Sequence, residues 1–336
     1  MSEKQLSAVE AELYDRQIRL WGIESQERLR AANILLIGIR GLGSEIAKNI
    51  LLSGINSLVV LDDGIVTEEE QLKNFLLSKD SIGKKIAEEV LLKAQALNPL
   101  VKISADTSSP TSKDGTFFED FTIIIATGLK TDFLLKIDKI CRSKKIKFIA
   151  GDVFGTFGFS VADFLNHEYF EDQVKLIAKK RAHDGTETKP EKETVKVKSE
   201  IIYPELNKVI ILPNTKQSVE HIKKVKRRNE YFFLMLTLLE FRDRQERNPD
   251  ISNKEKDIKV LQEIKSEILD LYGIDQEKLD DGLLELVFGE IVPVCAVLGG
   301  VIAQEVIKAV SLKEAPINNV FLFDPLTYSG KEETVG

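Results

Sequence analysis

The sequence of 336 residues is poor in the residue types that disulfide-rich or zinc-binding proteins need. It has two cysteines, Cys141 and Cys295, and three histidines, His167, His183 and His221, with no Cys-x-x-Cys pair. Two cysteines exclude a disulfide framework and fit a reducing compartment. The scattered histidines, without paired cysteines beside them, argue against a zinc site.

Long apolar runs and an excess of basic charge are also missing. No stretch reaches the roughly 18 apolar residues of a membrane span, and the polar start MSEKQLSAVEAE lacks signal-peptide character. The 47 basic and 54 acidic residues leave a net charge of −7, which argues against a dedicated nucleic-acid binder. Hydrophobic residues make up 43% of the chain, as in ordinary globular proteins. We therefore expect an intracellular protein that binds neither membrane nor nucleic acid.

Apolar runs alternate with helical patterns through the first half of the chain. Strands are predicted at 33–39, 57–62, 101–106, 121–127 and 146–154, and helices at 44–53, 84–97 and 132–143. The strands are continuously apolar, which is typical of a parallel sheet covered by helices on both faces. We therefore expect an α/β fold with a doubly wound, Rossmann-like, mostly parallel sheet, followed by a strand that turns back antiparallel.

The second half is less regular. Residues 175–200 are dominated by Lys, Glu, Thr and Asp, and such a segment has too few apolar side chains to offset the entropy of ordering, so we expect a flexible insertion. Helices are predicted at 229–247, 255–272, 276–288 and 293–310, and a last strand at 318–325. The helix at 293–310 is apolar on nearly every side, which predicts burial against the sheet and against another subunit.

The stretch ILLIGIRGLGSEIAKN runs from a strand through glycines into a helix. In a dinucleotide-binding turn the first glycine makes the turn, the second admits phosphate, the third allows close packing, and an acid follows about 20 residues later. Gly38 and Gly43 fit the first and third roles and Asp62 fits the acid, whereas Arg40 stands where phosphate needs room. Packing alone would also explain these glycines and Gly41. The turn therefore predicts the fold more firmly than it predicts a ligand.

Four motifs identify a family. They are YDRQIRLWG at 14–22, GLG at 41–43, GDVFG at 151–155 and PVCAVLGGVIAQEVIKA at 293–309. Together they resemble the adenylating enzymes that activate ubiquitin-like proteins, which are related to bacterial MoeB and ThiF. The resemblance runs nearly end to end, and it extends in particular to the smaller (Aos1-type) subunits of SUMO-activating enzymes.

This resemblance implies a domain organisation. Residues 1–165 would form N-terminal helices and a Rossmann-like adenylation domain that has lost its activity. Residues 166–288 would form an insertion, with its flexible charged segment at about 175–200 followed by helices. Residues 289–336 would return to the adenylation domain as an interface helix and a final strand.

The family's site binds ATP and Mg²⁺ and adenylates the C-terminal glycine of the modifier. Its pattern contains a GxGGxG loop, two acids after the second strand, an N-x-x-R-Q run, a lysine, and an aspartate after the fourth strand. In this chain Arg40 replaces a loop glycine, Gly64 replaces the second acid, and Gly128 replaces the aspartate. The polar run becomes EQLKN at 70–74, and the lysine position falls on Ile86. Triphosphate and metal need all of these groups together.

The resemblance therefore implies that no nucleotide or metal is bound by this chain alone. What is left of the nucleotide site is a degenerate remnant, and its residues are Gly38, Arg40, Gly41, Gly43 and Asp62. ATP and Mg²⁺ would be bound mainly by a partner subunit.

Arg16 has a different expected role. In the family an N-terminal arginine crosses the dimer and contacts the ATP phosphates of the opposite site, where its planar, always charged fork stabilises phosphate charge. The spacing alone favours a surface arginine that pairs with Asp15 or a neighbouring glutamate. With the resemblance added, we expect Arg16 to act in trans. Cys141 and Cys295 lie in apolar or helical segments, so packing explains them better than thioester chemistry does.

The function implied is that of a non-catalytic subunit of a heterodimeric SUMO-activating enzyme. The larger (Uba2-type) partner would carry the ATP site and the catalytic cysteine and would recruit the conjugating enzyme, while both subunits contact SUMO. The protein would be nuclear, with some in the cytoplasm, and the run KKVKRR at 223–228 would be either a solvated helix face or an import signal. Three alternatives remain: a NEDD8-type regulatory subunit, a self-sufficient MoeB-like adenylyltransferase, and an NAD-dependent dehydrogenase.

Overall fold

The computed structural model describes residues 6–177, 191–212 and 219–336. The strands are, in chain order, β1 (Asn33–Ile37), β2 (Ser57–Leu61), β3 (Lys102–Asp106), β4 (Ile123–Ala126), β5 (Lys147–Phe154), β6 (Phe157–Asp163), β7 (Asn166–Ile177), β8 (Glu191–Ile202), β9 (Val320–Phe323) and β10 (Gly330–Glu333). The α-helices are α1 (Ala8–Leu13), α2 (Asp15–Trp21), α3 (Ile23–Ala31), α4 (Gly41–Leu52), α5 (Glu68–Lys73), α6 (Ile86–Glu89), α7 (Leu91–Leu97), α8 (Thr131–Lys144), α9 (Asn207–Ile210), α10 (Val219–Lys226), α11 (Glu230–Gln245), α12 (Lys254–Tyr272) and α13 (Val292–Ser311). Short 3₁₀ helices lie at Lys79–Ser81, Pro110–Ser112, Ile251–Asn253, Gln276–Lys278 and Asp281–Leu286.

Eight strands form one sheet in the order β10-β9-β6-β5-β4-β1-β2-β3. The neighbours from β5 to β3 pair in parallel, whereas β6, β9 and β10 are added antiparallel. A parallel sheet is covered on both faces, and β4 is accordingly buried along its whole length. The doubly wound, mostly parallel α/β architecture predicted from the sequence is confirmed.

A hydrophobic core lies on each face of the sheet. Successive side chains of a strand point to opposite faces, so Leu35 of β1 packs with α8, α11 and α12, while Leu36 packs with α4 and α13. The segment 166–288 thus supplies α11 and α12, together with residues of α9 and α10, to the core on one face. The division of the chain into three parts stays a prediction.

Helix α13 packs against α4 on the other face. The contact is close because Gly299 has no side chain: a Cβ there would lie 2.7 Å from Cβ of Glu45. By length and mean hydropathy (1.6) α13 could cross a membrane, but 61% of its most apolar window is buried, which is typical of a core helix. Its outer side leaves Val292 and Val297 40% and 47% exposed in this chain. The inward faces are buried as expected, and the burial of the outer side against another subunit stays a prediction.

Three expectations about local structure are wrong. Residues 175–177 and 191–200 are not an unstructured insertion, because they belong to β7 and β8, which pair over twelve positions; residues 178–190 lie outside the described part of the chain. Residues 276–288 form two 3₁₀ helices instead of one α-helix, since the carboxylate of Asp280 accepts the N–H of Gly282 and starts a new turn. The strand expected to be the last is followed by β10.

A pair of helical glycines tests the packing of α4. A Cβ at Gly43 would lie 2.1 Å from the backbone oxygen of Gly38, whereas a Cβ at Gly300 of α13 would meet nothing within 4 Å. We expect Gly43→Ala to lower the free energy of unfolding by about 1–3 kcal/mol, as overpacked cores do. Gly300→Ala should raise it by roughly 0.5–1 kcal/mol, because alanine loses less backbone entropy in a helix.

Urea denaturation followed by circular dichroism measures both changes. Equal unfolding midpoints for Gly43→Ala and Gly300→Ala would contradict the close contact between the α4 turn and β1.

Candidate functional site

A cavity of about 570 Å³ opens at the carboxyl ends of the parallel strands, where α4 begins. Strand order reverses between β1 and β4, and ligands of doubly wound sheets bind in the crevice at such a switch point. The glycine turn singled out in the sequence therefore lies at the expected place. Arg40 and Leu42 line the cavity from this turn, and Thr127, Gly128 and Asp152 line it from the neighbouring strands.

Two of the three glycines in the turn, Gly38 and Gly43, are required by the backbone around them. Gly38 has a φ of +86°, and a Cβ there would lie 2.4 Å from Oγ1 of Thr127. A Cβ at Gly41 would lie 2.9 Å from the carboxyl carbon of Glu290, and Gly43 contacts the backbone as described above. Close packing is thus a sufficient reason for Gly38 and Gly43 without a ligand, whereas at Gly41 the neighbour is the end of a flexible side chain that can shift.

The N-terminus of α4 binds a carboxylate of the same chain. The N–H of Leu42 donates to Oε1 of Glu290 at 2.8 Å, and the N-cap residue Arg40 provides no side-chain cap. The free N–H groups and the dipole of a helix N-terminus favour an anion, which in nucleotide-binding turns is a phosphate. Glu290 therefore satisfies the charge preference that a phosphate would otherwise satisfy. Sequence reasoning missed this residue because it lies far along the chain, just before α13.

Arg40 forms an ion pair with Glu70 of α5. Its Nη1 lies 2.9 Å from Oε1 of Glu70, whose side chain is 9% exposed. Burial raises the pKa of Glu70, the nearby carboxylate of Glu290 raises it further, and the Arg40 guanidinium opposes both effects. The arginine that replaces a loop glycine is thus held by an acid at the start of the EQLKN run.

Asp62 is bound to the main chain. Its Oδ2 accepts the N–H of Ile39 at 2.9 Å and its Oδ1 accepts the N–H of Gly64 at 2.8 Å. A Cβ at Gly64 would lie 2.8 Å from Oδ1 of Asp62 and 3.5 Å from Nη2 of Arg40. A side chain at position 64 would therefore crowd the carboxylate of Asp62.

The edge of the cavity at β4 and β5 is also held by internal contacts. The N–H of Gly128 donates to Oδ1 of Asp152 at 2.6 Å, and Oδ2 of Asp152 accepts Nη1 of Arg242 at 2.7 Å. Arg242 and Asp152 are both buried, at 3% and 7% exposure. A carboxylate does lie next to the position where the family's aspartate is missing, but a buried guanidinium neutralises it. The sequence contains this acid in the GDVFG motif without showing its partner.

The charged lining of the cavity is unfavourable for a triphosphate. Five acidic side chains face three basic ones. Within the described residues each of these cations is ion-paired: Arg40 with Glu70, Lys73 with Glu69, and Arg247 with both oxygens of Asp257. None of the three is left to compensate phosphate charge unless an existing pair opens.

The described residues contain neither a metal-binding cluster nor an exposed cysteine. In the described part of the chain no group of three His, Cys, Asp or Glu side chains is arranged to hold a metal ion; His183 and the side chain of His221 lie outside it. Cys141 and Cys295 are both buried. Burial and neighbouring carboxylates raise the pKa of each thiol, which is the opposite of what a nucleophilic thiolate needs.

Arg16 lies on α2, on the surface, at the end of α4 opposite to the cavity. Its neighbour Gln17 donates from Nε2 to the carbonyl of Leu52, the last residue of α4, at 2.9 Å. Helix α4 has 12 residues and is roughly 18 Å long, so Arg16 is remote from the cavity of its own chain.

The residues around Arg16 are anchored, but its own side chain is not. Nδ2 of Asn98 donates to the hydroxyl of Tyr14 at 2.9 Å, which fixes the start of α2. Asp15, the partner that a simple surface arginine would use, pairs with Arg19 at 3.1 Å instead. Among the described residues Arg16 forms no ion pair, so its guanidinium is available to a group outside this chain.

Comparison with known proteins gives the family. The chain matches the ThiF family over residues 14–335. It is 38% identical to the SUMO-activating enzyme subunit 1 of Xenopus tropicalis, with 99% of this chain and 98% of that protein covered. It is also 38% identical to the proteins of the same name from Homo sapiens, covering 98% and 96%, and from Danio rerio, covering 97% and 94%. The chain therefore belongs to the ThiF family.

Proposed function

We propose that this chain is the smaller, non-catalytic subunit of a heterodimeric SUMO-activating enzyme. The end-to-end similarity to proteins named SUMO-activating enzyme subunit 1 supports the assignment to that enzyme. The larger partner subunit binds ATP and Mg²⁺, carries the catalytic cysteine and recruits the conjugating enzyme. When bound there, ATP supplies the adenylyl group that activates the C-terminus of SUMO. This chain contributes an interface, a surface for SUMO and Arg16.

The observation that carries the non-catalytic assignment is the state of the cavity at α4. The carboxylate of Glu290 is at the helix N-terminus, and Arg40 is paired with Glu70. A triphosphate would have to displace the carboxylate of Glu290 from the helix N-terminus, and it would also meet the carboxylate of Glu70. The residues present do not fit Mg-ATP, and the alternative of a self-sufficient MoeB-like enzyme is disfavoured for the same reason.

The position of Arg16 supports its action in trans. It is unpaired within the described residues, it extends from an anchored segment, and it is roughly a helix length away from its own cavity. A guanidinium that reaches the phosphates of the opposite site would stabilise charge there without any participation of this chain's cavity.

The proposed partners follow from the same assignment. The exposed apolar side chains of α13, together with Leu20 and Ile23 of the N-terminal helices, which are 75% and 53% exposed, would be covered by the larger subunit. We propose a nuclear protein with a cytoplasmic fraction and without nucleic-acid or membrane partners. Lys223 and Lys224 on α10 are exposed, which suits either a solvated face or an import signal.

The first test concerns nucleotide binding. Calorimetric titration of the isolated chain with millimolar Mg-ATP should give no saturable isotherm, because the phosphate position is taken by Glu290 and the cations are already paired. The reconstituted heterodimer is the positive control. A saturable isotherm from the isolated chain would show that this cavity still binds nucleotide, and saturation with NAD would favour the dehydrogenase alternative.

A second test isolates Arg16. Arg16→Ala should leave heterodimer assembly intact and slow ATP–pyrophosphate exchange in the presence of SUMO by roughly 10²–10³, corresponding to about 2–4 kcal/mol for one charged contact at the reacting phosphate. Arg16→Lys should recover part of the rate, since an ammonium lacks the planar fork.

Arg19→Ala is the matched control for this test. It removes an exposed arginine one turn further along α2 whose surface pair with Asp15 contributes little. Exchange should be near normal in this variant. Equal losses in Arg16→Ala and Arg19→Ala would mean that α2 acts through packing, and normal exchange in Arg16→Ala would exclude the action in trans.

The thiols give a third test. Cys141→Ser and Cys295→Ser should each leave thioester formation by the reconstituted pair nearly unchanged, because both thiols are buried with raised pKa values. A non-reducing gel of the SUMO thioester reports the result. Loss of the thioester in a variant that still exchanges pyrophosphate would place the catalytic thiol on this chain.

A further inference from the structure

The hairpin of β7 and β8 is attached to the body of the molecule at its root. The root consists of Leu165, just before β7, and Tyr203, just after β8; the N–H of Tyr203 donates to the carbonyl of Leu165 at 2.7 Å. Helix α8 holds the end that follows β8. Nη2 of Arg142 donates to the carbonyl of Tyr203 at 2.7 Å, and the N–H of Leu206 donates to Oδ2 of Asp138 at 3.0 Å.

Two buried carboxyl groups at this root share one guanidinium. Asp138 and Asp163 are 4% and 1% exposed. Asp163 accepts Nε of Arg142 on one oxygen and the N–H of Leu165 on the other. Asp138 lies near Asp163 and Arg142, whose charges act on it. Its Oδ1 is buried without a donor from the described residues.

The buried carboxylate oxygen Oδ1 of Asp138 needs a hydrogen atom that no described donor supplies. A buried carboxylate oxygen without a donor is costly, and two buried carboxylates cannot both be neutralised by one guanidinium. A proton on Oδ1 of Asp138 removes both problems, because the carboxyl then donates to Asp163 and only one negative charge remains beside Arg142. We propose that a proton shared by Asp138 and Asp163 clamps the root of the β7–β8 hairpin onto α8, so that docking of the hairpin depends on pH.

The groups around the pair set the direction of this dependence. Those that face it are Arg142 and Cys141 from α8, Asp163 from β6, and Tyr203 after β8. Burial, followed by the charge of Asp163 and its hydrogen bond, raises the pKa of Asp138 to about 7 from an ordinary 3.8. The docked root therefore binds more protons than the open one, and docking weakens as the pH rises from about 4 through about 7 and then levels off.

Two other buried basic side chains near the root, Lys147 and His167, act in the opposite direction. Burial lowers the pKa of Lys147 to about 8 and that of His167 to about 3. A group whose pKa is lower in the folded state stabilises that state as the pH rises, so neither can weaken the root between about pH 6 and pH 8. The direction in which docking changes with pH thus distinguishes the carboxyl pair from Lys147 and His167.

Hydrogen exchange of the full chain, followed by mass spectrometry and corrected for intrinsic rates, tests the clamp. Protection of peptides from β7, β8 and residues 203–206 should fall on the order of tenfold between about pH 6 and pH 8, if opening returns Asp138 to its ordinary pKa. Asp138→Asn carries a permanent donor in place of the proton and keeps an acceptor for Leu206. It should retain at pH 8 the protection that the wild type has at pH 6.

Asp172→Asn is the matched control, since Asp172 lies on β7 and pairs with Lys313 at 2.5 Å, away from the carboxyl pair. It should show the same loss of protection with pH as the wild type. A wild-type root whose protection does not change with pH would overturn the proposal, and so would an Asp138→Asn root that loses protection as the wild type does. Circular dichroism of each variant at pH 6 establishes that it is folded before the comparison.

Discussion

A helix that begins inside a crevice needs negative charge at its N-terminus, and in this protein the chain supplies that charge itself. The carboxylate of Glu290 accepts the N–H of Leu42, so the start of α4 is joined to the segment that begins α13. The neighbouring contacts are consistent with this one: Arg40 can extend over the turn because it meets Glu70, and Asp62 is left to bind the main chain. The turn keeps the geometry of a phosphate site while an internal acid takes the place of the phosphate.

The parallel part of the sheet could be predicted because its strands are buried on both faces and therefore continuously apolar. The hairpin of β7 and β8 could not, since its strands are rich in charged residues and resemble a disordered segment by composition. Its described contacts are distant in sequence: the backbone of Phe170 pairs with Leu312 and Glu314, and the root is held by α8. A window of neighbouring residues contains none of these partners.

The candidate site, like the fold, could be predicted only in part from the sequence. The departures at Arg40, Gly64 and Gly128 are visible in the sequence, since each is a residue type at a known offset within a motif. Their consequences are not, because Glu70 and Glu290 lie 30 and 248 residues from the groups they bind. The sequence could thus predict which residues depart from the family's ATP-binding pattern. It could not predict that internal acids had taken over the helix N-terminus and the arginine.

These contacts also explain why a site without its ligand chemistry would keep its glycines. Gly38 and Gly43 each lie where a Cβ would overlap the backbone of a neighbour, so selection for stability alone would retain them. A glycine-rich turn is therefore evidence of close helix–strand packing first, and of a nucleotide only when unpaired cations and free N–H groups accompany it. In this chain the two ends of α4 differ in that respect. The end at the cavity is satisfied internally, and the end at α2 presents Arg16, which has no ion-pair partner among the residues that the structure describes.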